Sequence, residues 1–397
     1  MPEHPLRILL ASDCYVPRLG GIEVQVHELG RQLLAAGHHV EVVTPFPGPT
    51  VVDGIQVHRL GEPLLPLDVP FTPRTFTKTE AILRGGSYDV AHFHGGVVSP
   101  FAFGGAYLSQ KLGIPTVMTS HCVWNRTQRV FRLLDRGVDW KSWRVVFSGV
   151  SDLAASEIRG VVGEGHRVLV LPNGIDSREW RVEHAERDPG TVTLVSVMRF
   201  APRKRPLPLL RMLAQVRSRA PRGVDVRLVL VGEGGQEKQI RNAIDRLGLR
   251  GAVDLPGRLD HEAIRRLYAG ADVYVAPANL ESFGLAALEA RCAGLPVVAK
   301  AQTGIREFVE HGQEGLLAAG DHQFVDQVLL LVRDPELRAK ISAFNTATPA
   351  RCEWPEVVQL TMAAYGQATE LVGRDWSRPA QAVGNVAKPG SPFTKPG

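Results

Sequence analysis

Short apolar runs alternate with helix-period segments along most of the chain. Runs rich in Val, Ile and Leu occur at 7–11, 40–44, 90–93, 116–119, 145–148 and 168–171. They are apolar throughout rather than at every second position, which marks strands covered on both faces. After Asp188-Pro189-Gly190 the pattern restarts, with runs at 192–197, 227–231, 273–276 and 296–299. Between the first two runs, Ile22, Val26, Leu29, Leu33 and Leu34 line one face of a helix that Gly37 ends. Strands alternating with helices predict parallel sheets. Two such series predict an α/β chain of two facing, Rossmann-like, doubly wound domains.

The boundaries follow from where the pattern stops. Residues 1–177 form the N-terminal domain, and the charged, aperiodic stretch 178–190 is a linker. Residues 191–350 form the C-terminal domain. A helix begins at Trp354 and runs to about Leu371, within a segment 351–372, and is expected to cross back onto the N-terminal domain. The remainder, 373–397, holds Pro379, Pro389, Pro392 and Pro396 with little to bury and reads as a disordered tail.

Composition narrows this picture only slightly. A chain of 397 residues, 44% hydrophobic and 22% charged, suits two globular domains. The net charge of +5, from 46 cationic and 41 anionic side chains, is a mild bias toward anionic ligands. Cys14, Cys122, Cys292 and Cys352 lie far apart with no C-x-x-C, which points to reduced thiols rather than a disulfide framework or zinc site. The start of the chain lacks a signal-peptide pattern, and the weakly polar stretch 95–108 is too short to span a bilayer. A cytoplasmic protein is expected.

In open parallel sheets ligands bind beyond the carboxyl ends of the strands, so three strand-end loops matter most. The first, 13–23, carries Gly20-Gly21 at a helix start, where bare amides and the helix dipole favour a phosphate. A glycine turn serving tight packing is the competing reading. Neither G-x-G-x-x-G nor a P-loop motif is present there. The second loop, 198–205, places Arg199 at a strand end and Lys204 within reach, two cations of different geometry. A solvated basic loop describes Arg203 and Arg205 better than Arg199. In the third, Glu281 precedes a helix expected to open at about Phe283, and Glu289 lies inside it. On an ideal helix the eight-residue spacing separates the carboxylates by ~12 Å along the axis and ~80° around it. That span suits two hydroxylated moieties joined by a diphosphate, with the amides of Phe283 to Leu285 facing its oxygens.

In this order, the motifs resemble a GT4-type retaining glycosyltransferase of the GT-B fold, over roughly residues 6–371. The resemblance rests on Tyr15-x-Pro17 with Gly20-Gly21-x-Glu23, His92-x-His94-Gly95, Thr119-Ser120-His121 and Ser148-x-Val150-Ser151. It continues through Pro172-Asn173-Gly174-Ile175-Asp176, Arg199…Lys204, Leu230-Val231-Gly232-x-Gly234 and the Glu281–Glu289 block. Gly294-Leu295-Pro296-Val297-Val298, Thr303-Gly304-Ile305-x-Glu307 and Glu314-Gly315-Leu316-Leu317 complete it.

The resemblance implies a donor site. Gly20 and Gly21 would contact the diphosphate or the acceptor, and Arg199 and Lys204 would neutralise the departing diphosphate. Glu289 would hold the ribose. Glu281, helped by Ser282, Phe283, Gly284 and Leu285, would address the transferred sugar, and His121 would lie near the reacting centre. The expected donor is a nucleotide-sugar co-substrate such as UDP-glucose, UDP-N-acetylglucosamine or GDP-mannose, with no other cofactor. The acceptor is a sugar, lipid or small molecule. Asp13, His92 and His94 read as structural polar groups before site residues. Relatives often carry two glycines where this chain has Thr303-Gly304, and Met-Ala where it has Arg291-Cys292. The first loosens the backbone's approach to ligand; the second reads as a packing change.

Two other classes share these features. A nucleotide-sugar epimerase or hydrolase would convert donor without acceptor, and a non-catalytic sensor would bind nucleotide-sugar without turnover. Residues 124–144 interleave Arg126, Arg129, Arg132, Arg136, Lys141 and Arg144 with Trp124, Phe131, Trp140 and Trp143. They fit a solvated helix face with core aromatics, or a peripheral contact with an anionic membrane. No nucleic-acid motif accompanies the charge. No D-x-D pair occurs in the chain, so Arg and Lys are expected in place of a metal at the diphosphate. Transferase activity should therefore survive EDTA; loss with chelator and recovery with manganese would exclude this arrangement.

Overall fold

The computed structural model describes residues 4–18, 20–61, 72–97, 99–124, 138–163, 165–184, 188 and 190–376. Each apolar run of the first series becomes a strand of one sheet. The strands are β1 (Arg7–Ser12), β2 (His39–Thr44), β3 (Val51–Val52), β4 (Ile55–Arg59), β5 (Val90–Gly95), β6 (Thr116–Ser120), β7 (Val146–Gly149) and β8 (Leu169–Val170). Their order is β3-β4-β2-β1-β5-β6-β7-β8, parallel except for the β3–β4 pair. Successive residues Ile8, Leu9 and Leu10 are all fully buried, so both faces of β1 are covered by helices. The unforeseen β3 and β4 lie at the sheet edge around Asp53-Gly54. There the chain alternates polar and apolar instead of forming a continuous run.

The second series forms β9 (Thr191–Val197), β10 (Asp225–Val231), β11 (Val253–Asp254), β12 (Val273–Ala276), β13 (Val297–Lys300) and β14 (Gly315–Ala318), in the order β11-β10-β9-β12-β13-β14. All its pairs are parallel. The edge strand β11, two residues long, is too short to stand out as an apolar run, and β14 lies within the Glu314-Gly315-Leu316-Leu317 motif. In both sheets the strand order reverses beside the first strand: β1 next to β5, and β9 next to β12. Helices leave to opposite faces at such a boundary and open a crevice at the strand ends.

The helix Trp354–Leu371 returns to the first sheet. Tyr365 hydroxyl meets His92 Nδ1 at 3.0 Å, and the Trp354 ring lies where a side chain on residue 174 would stand, which only Gly174 permits. Ile175 and the chain before this helix exchange backbone bonds, Ile175 N to Cys352 O at 3.0 Å and Trp354 N to Ile175 O at 3.1 Å. The stretch expected as an unstructured linker begins with a helical turn, Ser177–Trp180. Trp180 is buried against His261, with ring centroids 4.1 Å apart, because a large indole gains more from an apolar seat than from solvent. Linker residues 185–187 and 189, and tail residues 377–397, lie outside the described residues.

Trp354 is the main anchor of the returning helix. Trp354→Ala should lower stability by about 3–5 kcal/mol in chemical denaturation, as expected for deleting a buried indole.

Candidate functional site

The loop after β9 presents its cations differently from one another. Arg199 is exposed, and its side chain meets no hydrogen-bond or ion-pair partner among the described residues. Lys204 closes the turn Pro202–Lys204 and donates to Glu281 Oε2, from the loop after β12. The pair is mostly shielded, with 22% and 15% of the side chains exposed. Lys204 and Glu281 thus meet across the β9–β12 boundary. Arg203 is solvated as expected, but Arg205 is not. It sits in the left-handed region at φ 63, which costs an L-residue roughly 1–2 kcal/mol. Its guanidinium forks onto Asp321 at 2.8 and 2.6 Å and reaches Asn279 Oδ1 at 2.6 Å.

The third loop departs from the ideal-helix reading. The helix runs Leu285–Cys292 rather than opening at Phe283, because Gly284 adopts φ +96 and breaks the turn. Ala287 and Leu288 amides bond the Gly284 carbonyl at 2.9 and 3.1 Å. The first-turn amides that the helix itself leaves unbonded are therefore those of Leu285 and Ala286, so the later start adds Ala286 to the expected Phe283 to Leu285 set. Glu281 lies four residues before the helix, so the ~12 Å and ~80° expected of an unbroken helix do not describe the two carboxylates. Phe283 is buried against Phe308, with centroids 5.5 Å apart. The Gly304 amide donates to the Glu281 carbonyl at 2.8 Å, and Gly304 passes so close to the Ser282 carbonyl that no Cβ fits. Thr303 turns inward and donates to Lys300 O at 2.8 Å.

The Glu289 side chain makes no hydrogen bond among the described residues, and desolvation pushes its carboxyl up to about 7. Below it, Arg291 is more than a packing change. It is buried, donates to the Thr348 carbonyl at 2.6 Å and lies 4.0 Å from the equally buried Glu314. A buried cation needs such partners, so the helix carrying Glu289 stands on a charged foot.

From the first sheet, the loop after β1 brings Gly20 and Gly21 to the cleft. Gly20 is extended and Gly21 opens the helix Gly21–Ala35, so neither is required by a left-handed turn. A Cβ on Gly21 would touch Leu285 of the opposite domain at 3.3 Å. Gly21 therefore faces the start of the helix that carries Glu289. Arg18 pairs with Glu23 at 3.1 Å beside it. A second bridge across the cleft was not read from sequence: Glu307 Oε1 accepts from the Asp152 amide at 2.7 Å, capping the N-terminus of the helix Asp152–Val162 from the other domain.

His121 lies below this surface, 9% exposed. Its Nε2 meets His94 Nδ1 at 3.0 Å, and it is also hydrogen-bonded to the Asn173 side chain, which favours its protonated form. His92 stacks on His94 with centroids 3.9 Å apart and bonds Thr119 at 2.7 Å. Burial lowers His121 to about 4, His92 to about 3 and His94 well below the usual imidazole range. The three rings are neutral at pH 7. Asp13, just after β1, is pushed up to about 7 by burial.

Residues 125–137 of the basic aromatic segment lie outside the described residues. At its flanks Trp124, Trp140 and Trp143 are buried in the first domain's core. Among the described residues no group of three His, Cys, Asp or Glu side chains could hold a metal ion, and no helix is long and apolar enough to cross a membrane. Asn173, Glu307, Lys300 and Asp321 were not singled out in the sequence. The first two fall inside quoted motifs, while the last two carry no local signal.

Comparison with known proteins bears on the family and the fold. The family model for Glycosyltransferase Family 4 matches residues 19–179, and that for Glycosyl transferases group 1 matches residues 176–347. The D-inositol 3-phosphate glycosyltransferase of Frankia alni is 30% identical over 390 residues, covering 88% of this chain and 95% of the relative. The glycogen synthase of Mycobacterium tuberculosis is 30% identical over 349 residues, covering 79% and 82%. The structure of Anabaena Alr3699/HepE in complex with UDP and glucose superposes with a TM-score of 0.71 at 20% identity, covering 91% of this chain and 99% of that one. Sucrose-phosphate synthase from Thermosynechococcus elongatus gives 0.72 at 20% identity, covering 92% and 99%. Two facing parallel-sheet domains with this order of motifs are those of GT-B glycosyltransferases, and the chain belongs to the GT4-type glycosyl transferases group 1.

Proposed function

We propose that the protein is a retaining hexosyltransferase that moves a sugar from a nucleoside-diphosphate donor to an acceptor hydroxyl, forming an α-glycosidic bond. The observation that carries this reading is the Lys204–Glu281 pair. It lies at the crevice of the second sheet, in the same loops that carry Arg199 and lead into the helix of Glu289, whose side chains make no hydrogen bond or ion pair among the described residues. Breaking the anomeric C–O bond leaves negative charge on the diphosphate and positive charge on the sugar. Fixed cations and helix-end amides aimed at the diphosphate stabilise that transition state. Arg199, Lys204 and the Leu285 and Ala286 amides take the diphosphate, and Gly20 and Gly21 cover it from the first domain. Glu289 accepts from the ribose hydroxyls and Glu281 from the sugar. His121, neutral and held by His94, forms the floor beneath the reacting carbon. The acceptor enters from the first domain and gives its proton to the departing phosphate. That the Anabaena neighbour is described with UDP and glucose supports a uridine donor as the first choice to test. Product analysis after incubation with UDP-glucose, UDP-N-acetylglucosamine or GDP-mannose, with and without acceptor, separates transfer from epimerisation or hydrolysis.

Lys204 is neutralised by Glu281, so a diphosphate competes with that carboxylate. Glu281→Gln should lower turnover by roughly a hundredfold while UDP binding, followed by calorimetry, stays equal or tightens. Wild-type turnover in the folded variant would remove Glu281 from the site.

Glu289 sets a pH dependence. Its carboxyl titrates at about 7, and ribose hydroxyls favour the ionised form. Donor affinity should therefore be full above pH 7 and fall as the pH drops through it. Glu289→Gln should bind donor weakly and with a flat profile between about pH 6 and 8, the window around that titration; an unchanged slope would exclude Glu289 as the titrating group.

A further inference from the structure

We propose that Asp321 is a positioning residue for the diphosphate cations, locking through Arg205 and Lys300 the loop that carries Arg199 and Lys204. This rests on the nucleotide-sugar reading above and deepens it.

Arg205 follows Lys204 directly and holds a left-handed backbone, φ 63, that an arginine keeps only when its surroundings impose it. The imposing contact is the two-pronged bond to Asp321, at 2.8 and 2.6 Å. Asp321 opens the helix that follows β14. Its Oδ1 also takes Lys300 Nζ at 2.8 Å, from the end of β13. Lys300 is fully buried and lies 5.1 Å above the Phe324 ring, so its ammonium depends on this one carboxylate. The same guanidinium reaches Asn279 Oδ1 at 2.6 Å, in the loop after β12 that leads to Glu281. Four strand-end loops of the second sheet thus converge on one fork. The two halves of the Lys204–Glu281 pair are each tied to it through a close neighbour in sequence, Arg205 on one side and Asn279 on the other. The Arg205 bonds hold the Asp321 carboxyl far below the usual carboxylate range, so the clamp stays charged throughout the working pH range. Asp321 itself is not assigned to the ligand; it acts through the backbone on either side of Lys204.

Simple electrostatics and positioning predict opposite signs. Removing a negative charge near a bound diphosphate should tighten it, whereas releasing the Lys204 loop should weaken it. The experiment is titration calorimetry of the full chain with UDP, GDP and UMP. Asp321→Asn should weaken the preferred nucleoside diphosphate about tenfold and change UMP less than about twofold. In a Lys204→Ala background the same substitution should add less than about twofold. Asp321→Glu should recover part of the loss. Arg205→Lys keeps the charge without the fork. It should reproduce the loss and keeps the test open if Asp321→Asn does not fold. Unchanged or tighter diphosphate binding in these variants overturns the clamp, as does an equal loss for UMP or in the Lys204→Ala background. A wild-type protein that binds no nucleoside diphosphate overturns the nucleotide-sugar reading, and the clamp with it.

Discussion

The ion pair between Lys204 and Glu281 organises this molecule. Its partners stand 77 positions apart in the sequence and come from strands that are neighbours only because the second sheet reverses its order between β9 and β12. At that boundary the loops cannot be covered by the next helix, so polar groups there stay reachable at the end of an otherwise apolar sheet. The first sheet repeats the device between β1 and β5, which is where Gly20, Gly21 and the histidines gather. Two such crevices face to face make one cleft with cations on one wall and bare glycine backbone on the other.

The charges of the cleft divide by burial. Arg199 remains outside, Lys204 is neutralised at rest, and Glu289 is held near the midpoint of its titration by desolvation alone. The three histidines lose their charge to burial, and among the described residues no carboxylate acts on them to restore it. The result is a wall carrying cations over a layer of neutral imidazoles.

The two domains share one apolar cluster that passes through Trp180 and Trp354, and polar bridges join them at the cleft. Glu307 caps a helix of the first domain, while the amide of Gly304, in the same short helical turn, bonds the Glu281 backbone. Gly21 approaches Leu285 at the start of the helix bearing Glu289. Both bridges therefore end on or beside the segment that runs from Glu281 into that helix. The returning helix, anchored by Trp354 and Tyr365, ties the second domain back to the first sheet at its far side.

The continuous apolar runs determined the parallel strands, because burial on both faces leaves a pattern no other element shares. The motif order determined the family and named Arg199, Lys204, Glu281 and Glu289. β3, β4 and β11 leave no continuous apolar run, since short or one-sided strands need few apolar residues. Tertiary structure decided the rest. Gly284 delayed the helix start from Phe283 to Leu285, because its left-handed turn accommodates the passage of Ile305 beside it. Arg205 looked like one more solvated cation until Asp321, 116 residues away, was seen to hold it. Arg291 looked like packing until Glu314 appeared beneath it. A sequence displays each residue's chemistry and its local period. The partner that decides whether a charge is solvated, neutralised or used as a clamp arrives from a distant strand, and only the folded chain brings it there.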